Sequence, residues 1–323
     1  MKNIKVGFLI NPISGGGRGR EIESFLPEIM DSFGYEPNEW EAQLTSPDDF
    51  VSQIKVMLLK CHRLIAVGGD GTVNAILNEV VILGHYDTQI GLIPLGTGND
   101  LGRILNIFEN FQNRGLLNTV RKLIKSEAKT FDLWQVNNKY TMAAYCSVGM
   151  DAAIAHHWNA DRAEGRIPGQ SVVVNQAWYL RVFLRDRHIA LPKGSIIQTE
   201  TIQSEKINLD VSGYKSVIIG NIGSYAAGTN PFFRSNFSDQ ILELVPVKST
   251  WRYLGCFMSG MSKLFARLYS KNVVKNYKIR TMEMELPQGS YVQIDGEDRT
   301  EELQGQKISI KHAGQVEMLF LER

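Results

Sequence analysis

Three features are scarce in this chain of 323 residues, and each scarcity excludes a class of protein. Its cysteines are few and far apart, with no CxxC pair: Cys61, Cys146 and Cys256. An odd number of isolated cysteines argues against a disulfide framework or a structural zinc site and is typical of a reducing compartment. No apolar run reaches the ~18 residues of a membrane span, and Asn11 and Pro12 interrupt the apolar start. We therefore expect a cytoplasmic protein that is neither secreted nor transmembrane.

An excess of charge of one sign is the third missing feature. Lysine and arginine number 35 against 34 acids, a net charge of +1. The positive field of a nucleic-acid-binding protein is absent, so we expect no nucleic-acid partner. The hydrophobic fraction of 43% is that of an ordinary globular protein. At roughly 150 residues per domain, the length predicts two domains or one large one.

The first hundred residues repeat an apolar run, a glycine-bearing turn and a segment of helical period. Strands are predicted at Ile4–Ile10, Trp40–Leu44, Leu64–Val67 and Ile90–Ile93, each followed by a helix. Ser46 is the predicted N-cap of the second helix. Apolar strands that alternate with helices predict an α/β fold, a doubly wound parallel sheet covered on both faces.

After about residue 130 the pattern changes to short strand candidates separated by turns, which predicts a mostly antiparallel β domain. A helical insertion at Ala152–Leu184 and a helix near Trp251–Tyr269 interrupt it. The sequence therefore predicts a domain over residues 1–131 and a second domain over residues 132–323.

Three glycine loops follow predicted strands of the first domain: NPISGGG (11–17), GGDGT (68–72) and GTGND (96–100). Parallel strands bring such loops to one sheet edge, where backbone N–H groups and helix N-termini bind phosphate oxygens. One glycine-rich turn alone is equally well explained as an ordinary strand-to-helix connection. Three in register favour a nucleotide site, although neither GxxxxGK[ST] nor a strand-linked GxGxxG occurs.

Acids stand in two of these loops, where phosphate would repel them unless a divalent cation intervenes. Asp70 and Asp100 therefore suggest Mg²⁺. The alternative for Asp100 is a carboxylate in the first turn of a helix, and the two roles are compatible.

The segments VGGDGTVNAIL (67–77) and IPLGTGNDLGR (93–103), with NPISGG (11–16), resemble the catalytic domain of the diacylglycerol kinase family. YCSVGMDAAIA (145–155), NPFFRSNFSDQILELVPV (230–247) and YVQIDGE (291–297) resemble that family's second domain. The resemblance implies a kinase core that uses ATP and Mg²⁺ to phosphorylate diacylglycerol to phosphatidate. The cysteine- and histidine-rich modules of many eukaryotic members have no counterpart in this sequence.

The resemblance also implies roles for individual residues. The nucleotide would lie on the glycine loops, and its contacts would be Asn11, Pro12, Ile13, Ser14, Gly15, Thr45, Gly69, Asp70, Gly71, Thr72, Asn74 and Thr97. Asp100 and Asp239 would be catalytic acids that also bind the metal, and Glu297 would be the general base on the lipid hydroxyl.

Two of these assignments carry a qualification in the sequence itself. Many relatives read Asp-Asp-Gly where this chain has Ser238-Asp239-Gln240, so the structural metal site of bacterial relatives is expected to be altered or missing. Without the resemblance, Asp295-Gly296-Glu297 reads as a hairpin turn after Tyr291–Ile294.

A segment from Leu244 to Met282 has no acid, and its basic residues are Lys248, Arg252, Lys263, Arg267, Lys271, Lys275, Lys278 and Arg280. Apolar residues recur there at helical spacing, namely Trp251, Leu254, Phe257, Met258, Met261, Leu264, Phe265 and Leu268. We expect this helix to dock on an anionic membrane as a peripheral contact. The alternative is that its apolar face packs on the second domain.

Alternatives to a diacylglycerol kinase remain open. The acceptor could be a sphingoid base, ceramide or monoacylglycerol, or the chain could be a nucleotide-binding regulatory module for lipid without turnover. The sequence leaves acyl-chain preference, regulators and oligomeric state open, a homodimer included.

Overall fold

The structure is a computed structural model that describes residues 4–167, 172–226, 228–232, 235–258 and 275–322. The chain divides into two compact units. The first comprises Met1–Leu133 with Ala313–Arg323, and the second comprises Trp134–His312.

The first unit is built on a parallel sheet in the order β2-β1-β3-β4. Its strands are β1 (Ile4–Ile10), β2 (Trp40–Leu44), β3 (Cys61–Gly68) and β4 (Gln89–Pro94). Its helices are α1 (Arg18–Ser32), α2 (Phe50–Lys60), α3 (Asp70–Leu83), α4 (Asp100–Ile104) and α5 (Ile107–Lys125). Strand β2 lies on one side of β1, and β3 and β4 lie on the other. Connections between parallel strands are right-handed, so a reversal of direction along the sheet places helices on both of its faces. The predicted doubly wound α/β fold is confirmed.

The second unit is a mostly antiparallel sheet in the order β14-β13-β7-β10-β11-β12-β15, with β8 and β9 beside β12. Its strands are β5 (Ala128–Val136), β6 (Tyr140–Met142), β7 (Tyr145–Gly149), β8 (Ile196–Thr201), β9 (Lys206–Asp210), β10 (Ser216–Gly220), β11 (Leu242–Val247), β12 (Tyr277–Glu285), β13 (Val292–Ile294), β14 (Glu297–Asp298) and β15 (Lys307–Leu319). Its helices are α6 (Met150–Ala163), α7 (Val172–Asp186), α8 (Thr250–Met258) and α9 (Thr300–Leu303). The antiparallel prediction is confirmed, and its core surrounds the buried Trp134.

Strands β5 and β15 each have residues in both units. The sequence placed all of 132–323 in the second domain, whereas the structure assigns the end of the chain to the first unit. The reason is pairing, because Met318 at the end of β15 lies parallel to Ile90 of β4. Nearby, Tyr86 donates a hydrogen bond to the Ala313 carbonyl at 3.0 Å.

Three local predictions differ from the structure. The helix after β2 begins at Phe50, because Ser46–Asp49 form a turn in which the Asp49 N–H donates to the Ser46 carbonyl at 3.2 Å. Ser46 is therefore not an N-cap. The insertion contains two helices, α6 and α7, and the strand candidates that the sequence offers at Lys307–Lys311 and Val316–Leu321 belong to one strand, β15.

Most of the predicted basic amphipathic helix lies outside the described residues, which resume at 275. Its first part is present as α8. Among the residues that the structure describes, no helix is long and apolar enough to cross a bilayer.

Candidate active site

The first glycine loop is a compact turn between β1 and α1. Gly15, Gly16 and Gly17 have φ values of +62°, +71° and +98° in succession, a left-handed conformation that side chains oppose. A Cβ on Gly19 would lie 2.0 Å from the Asn11 carbonyl oxygen, so the start of α1 approaches the loop backbone closely. At these three glycines the loop therefore presents backbone groups rather than side chains to its surroundings.

The second and third glycine loops touch through their backbones. A Cβ added to Gly96 would lie 2.8 Å from the Gly69 Cα. The Leu95 N–H donates to the Gly68 carbonyl at 2.8 Å, and Asn99 closes the third loop by accepting the Gly96 N–H at 2.9 Å. Glycine is required at this crossing because any side chain would separate the two loops.

The first loop and β2 reach the same edge of the sheet. A Cβ on Gly15 would lie 3.3 Å from the Leu95 Cβ, which places the first loop against the third. The Thr45 N–H donates to the Ile10 carbonyl at 2.8 Å, directly before Asn11. Within the first unit, the residues predicted to bind the nucleotide thus occupy one edge.

These residues differ in exposure. Ile13, Gly15, Gly71 and Thr97 are exposed, and Ile13 retains 79% of its accessible surface. Thr72 is buried against Gly68, so its side chain packs inside the turn. A ligand on this edge would meet backbone, small side chains and the exposed Ile13.

Two carboxylates lie beneath the third loop. Asp70 Oδ2 accepts the Asp100 N–H at 3.2 Å, and a Cβ on Gly98 would lie 3.3 Å from Asp70 Oδ2 and 3.8 Å from Asp100 Oδ2. One helical turn beyond Asp70, the Asn74 side-chain oxygen is buried and accepts no hydrogen bond from the described residues.

This donor set fits Mg²⁺. The ion prefers hard oxygen ligands and is commonly bound by one or two carboxylates together with substrate phosphates. No group of three or more His, Cys, Asp or Glu side chains suited to a metal occurs within the described part of the chain. Two carboxylates and an unsatisfied amide oxygen therefore suit a metal that a phosphate chain helps to bind, rather than an all-protein cage.

In the second unit, Asp295 and Gly296 form the two-residue turn between β13 and β14. Their φ values are +50° and +85°, as in the hairpin turns that Asp-Gly favours. The Asp295 carboxylate accepts three backbone N–H bonds of 2.7–2.8 Å, from Ala143, Ala144 and Tyr145. The hairpin predicted from sequence is present, and the exposed Glu297 is the first residue after its turn.

Asp239 lies in the turn before β11, where its Oδ1 accepts the Ile241 N–H at 3.1 Å. Gln240 has φ +57°, a conformation suited to glycine, at the position where the family pattern has glycine. Glu243, four residues on, is buried and pairs with Lys278 at 3.5 Å. Burial raises the pKa of Glu243 to about 7, Lys278 opposes the shift, and Asp239 adds to it.

Sequence reasoning missed several groups around the Glu297 turn. Asp151 of α6 is buried and accepts hydrogen bonds from Ser147, Tyr225 and Tyr253. Its signal in the sequence is an acid in the first turn of α6, two residues after Gly149.

Two histidines of α6 are paired with aspartates of other elements. His156 pairs with Asp298 at 2.6 Å and His157 with Asp186 at 2.7 Å, so both are half-buried and paired. Burial raises the pKa of Asp298, but hydrogen bonds from Thr300 and His156 lower it by more, so the net pKa is below its ordinary value.

A parallel sheet with glycine loops and two carboxylates at one edge has the geometry of α/β proteins that bind phosphate groups. Two sequence models of one family match this chain. The diacylglycerol kinase catalytic domain matches residues 5–136, and the diacylglycerol kinase accessory domain matches residues 141–298. The chain belongs to the diacylglycerol kinase family.

Individual relatives agree with this assignment. Diacylglycerol kinase 1 of Arabidopsis thaliana is 29% identical over 287 residues, which cover 80% of this chain and 37% of that protein. Diacylglycerol kinase theta of Homo sapiens is 23% identical over 269 residues, 74% of this chain and 28% of that protein. The chain therefore spans about a third of the length of the curated relatives it matches.

The fold has a counterpart among solved structures. A crystal structure of a diacylglycerol kinase from Bacillus anthracis superposes with a TM-score of 0.65 and 16% identity. The match covers 99% of this chain and 98% of that one. At this identity the likeness shows a shared fold.

Proposed function

We propose that this protein is an ATP-dependent lipid kinase that transfers the γ-phosphoryl group of ATP to the free hydroxyl of diacylglycerol, forming phosphatidate and ADP. The observation that carries the proposal is the convergence of three glycine loops over Asp70 and Asp100 at one sheet edge. Family membership and the names of the relatives favour a lipid acceptor and diacylglycerol in particular.

The glycine loops bind the nucleotide in this proposal. The backbone of residues 11–15, the second loop at Gly69 and Gly71 and the third loop at Thr97 contact the phosphate chain, because positive-φ glycines and helix starts expose N–H groups. Asp70, Asp100 and Asn74 supply oxygen ligands on the metal side. Mg²⁺, when bound, neutralises charge on the phosphate oxygens.

Glu297 accepts the proton of the lipid hydroxyl in this proposal. The hydroxyl oxygen then forms a bond to the γ-phosphorus, the bond from that phosphorus to the β–γ bridging oxygen breaks, and ADP leaves. The exposed position of Glu297 after a rigid turn supports this role. Asp239 is proposed as a further acid of the metal network.

The acceptor is tested with labelled ATP and a panel of lipid alcohols in mixed micelles, with the product identified by thin-layer chromatography. Labelled phosphatidate from diacylglycerol is expected. Transfer only to a sphingoid base, ceramide or monoacylglycerol would replace the proposed substrate. ATP binding without any transfer would favour a regulatory module.

Glu297→Gln tests the general base. We expect kcat to fall about 10²–10⁴-fold, the usual contribution of proton transfer, with ATP affinity and the melting temperature nearly unchanged. Glu301→Gln, an exposed glutamate on α9, is the matched control and should keep wild-type activity. Equal losses in the two variants would contradict the assignment.

We further propose that α7 and α8 dock the enzyme on an anionic bilayer. The two helices are neighbours, because Phe183 stacks on Tyr253 with ring centroids 6.0 Å apart. They expose Leu180, Leu184 and Trp251, and Trp251 retains 82% of its accessible surface. Exposed basic residues accompany these side chains, namely Arg181, Arg185, Arg187 and Lys248. A tryptophan with aliphatic and basic neighbours suits the interface of an anionic membrane.

A further inference from the structure

A chain of buried hydrogen bonds ends at the turn that presents Glu297. The Gly296 N–H donates to Gln293 Oε1 at 2.7 Å, and Gln293 Nε2 donates to Ser147 Oγ at 2.9 Å. The Ser147 hydroxyl donates in turn to Asp151 Oδ2. Gln293, Ser147 and Asp151 are all buried, so water does not compete for these bonds.

Asp151 determines the donor-to-acceptor direction of this whole series of hydrogen bonds. Its carboxylate only accepts, and Ser147, Tyr225 and Tyr253 all donate to it. Burial and the negative charge of Asp151 raise the pKa of both tyrosines well above the ordinary value, so they remain protonated donors. Because the Ser147 proton is committed to Asp151, Ser147 can only accept from the Gln293 amide.

The orientation of Gln293 follows from this direction. Its NH₂ group must face Ser147, which leaves its carbonyl oxygen toward Gly296. On the other side of the turn, the Asp295 carboxylate binds the backbone of residues 143–145. The turn is therefore attached through two independent sets of hydrogen bonds, although Asp295 has the unfavourable φ of +50°.

We infer that Asp151, Ser147 and Gln293 are positioning residues for Glu297, an inference that rests on the proposed function. No side-chain partner of the Glu297 carboxylate is found among the described residues, so the backbone turn sets its direction. Misplacement of a reacting group by about 1 Å can cost about 10²-fold in rate. Loss of this hydrogen-bond chain should therefore lower the rate of phosphoryl transfer without changing nucleotide binding.

Ser147→Ala and Gln293→Met test this inference, because each removes hydrogen bonds at nearly constant volume. We expect kcat to fall about 10–100-fold while KM for ATP changes less than twofold. Ser195→Ala is the matched control, a buried serine of the same unit whose hydroxyl donates to the Pro192 carbonyl at 2.9 Å. Ser195→Ala should leave kcat unchanged even if it lowers the melting temperature as much as the two test variants do. The inference would be overturned if the loss of kcat were proportional to the loss of melting temperature in all three variants.

A double-variant experiment separates positioning from other effects. If Ser147 acts through Glu297, adding Ser147→Ala to Glu297→Gln should lower kcat by less than twofold further. A further loss as large as that of Ser147→Ala alone would contradict the inference.

Hydrogen exchange provides a readout that does not depend on activity. The Gly296 amide should exchange at least tenfold faster in Ser147→Ala and Gln293→Met than in the wild type or Ser195→Ala. Unchanged exchange would overturn the positioning chain even in an active enzyme. Faster exchange in the two variants, together with a wild-type protein that phosphorylates no lipid, would support the hydrogen-bond chain and remove the proposed function instead.

Discussion

At the residue scale, Glu243 is a buried carboxyl group of the second unit with a raised pKa. It lies on a central strand, β11, with 0% of its surface accessible, and Lys278 is its ion-pair partner at 3.5 Å. Burial dominates and raises the pKa of Glu243 from its ordinary value of 4.5 to about 7. The folded protein therefore binds this proton more tightly than the unfolded chain does.

Glu243→Gln should make stability less dependent on pH. Because the folded pKa is raised, the contribution of Glu243 to wild-type stability is greatest below pH 4.5 and falls as pH rises to about 7, above which the loss is constant. The variant should thus be more stable than the wild type at pH 8, by on the order of 1–3 kcal/mol. Thermal unfolding at pH 5 and pH 8 measures the difference, which should shrink at the lower pH. A variant less stable at pH 8 would show that the ion pair with Lys278 outweighs burial.

At the element scale, the crossing of the second and third glycine loops joins β3 and β4 at the candidate nucleotide site. The Gly69 and Gly96 backbones are too close to admit a side chain. The starts of α3 and α4 are both set by this crossing, since Asp70 and Asp100 are their first helical residues. The distance between the two carboxylates depends on it.

Gly96→Ala should therefore weaken nucleotide binding at least tenfold, because its Cβ would lie 2.8 Å from Gly69 and separate the loops. Isothermal titration with a non-hydrolysable ATP analogue measures the effect. Gly34→Ala is the control, since its φ of +76° costs about 1 kcal/mol in stability while its Cβ meets open space at the end of α1. Equal affinities in the two variants would show that the crossing does not shape the site.

The elements also show which features were predictable. Strands β1 and β2 match their predicted bounds because apolar runs between turn residues specify strands. Helix α5 and strand β8 were not predicted. Gly115 interrupts α5 with φ +73°, which breaks its helical period. Strand β8 contains polar residues, and it forms a strand through its pairing with β12 and β9.

At the scale of the whole molecule, a net charge of +1 means that any attraction to a membrane must be local. The charge along the chain is uneven, and basic residues in or next to α7 and α8 accompany exposed apolar side chains. Each basic residue near an anionic surface contributes about 1 kcal/mol to binding, and salt screens this contribution. Proposed docking through these helices should therefore depend on lipid charge and ionic strength.

The variant Arg181→Glu/Arg187→Glu should reduce sedimentation with phosphatidylserine vesicles at least tenfold and leave binding to neutral vesicles unchanged. Trp251→Ala should weaken binding to both kinds of vesicle, because it removes an apolar contact. Lys125→Glu, a charge reversal at an exposed lysine of α5, is the control. If this control loses as much vesicle binding as the double variant, the docking surface is wrongly placed.

The sequence by itself determined the class of each unit and the candidate residues, because strand periodicity, glycine turns and the order of motifs are local properties of the chain. The tertiary structure alone decided which residues meet. It brought Gly69 against Gly96 and assigned the end of β15 to the first unit. It also joined Asp151 to the Glu297 turn through Ser147 and Gln293. These contacts link residues far apart in the chain, and burial and strand pairing, which no local pattern encodes, create them.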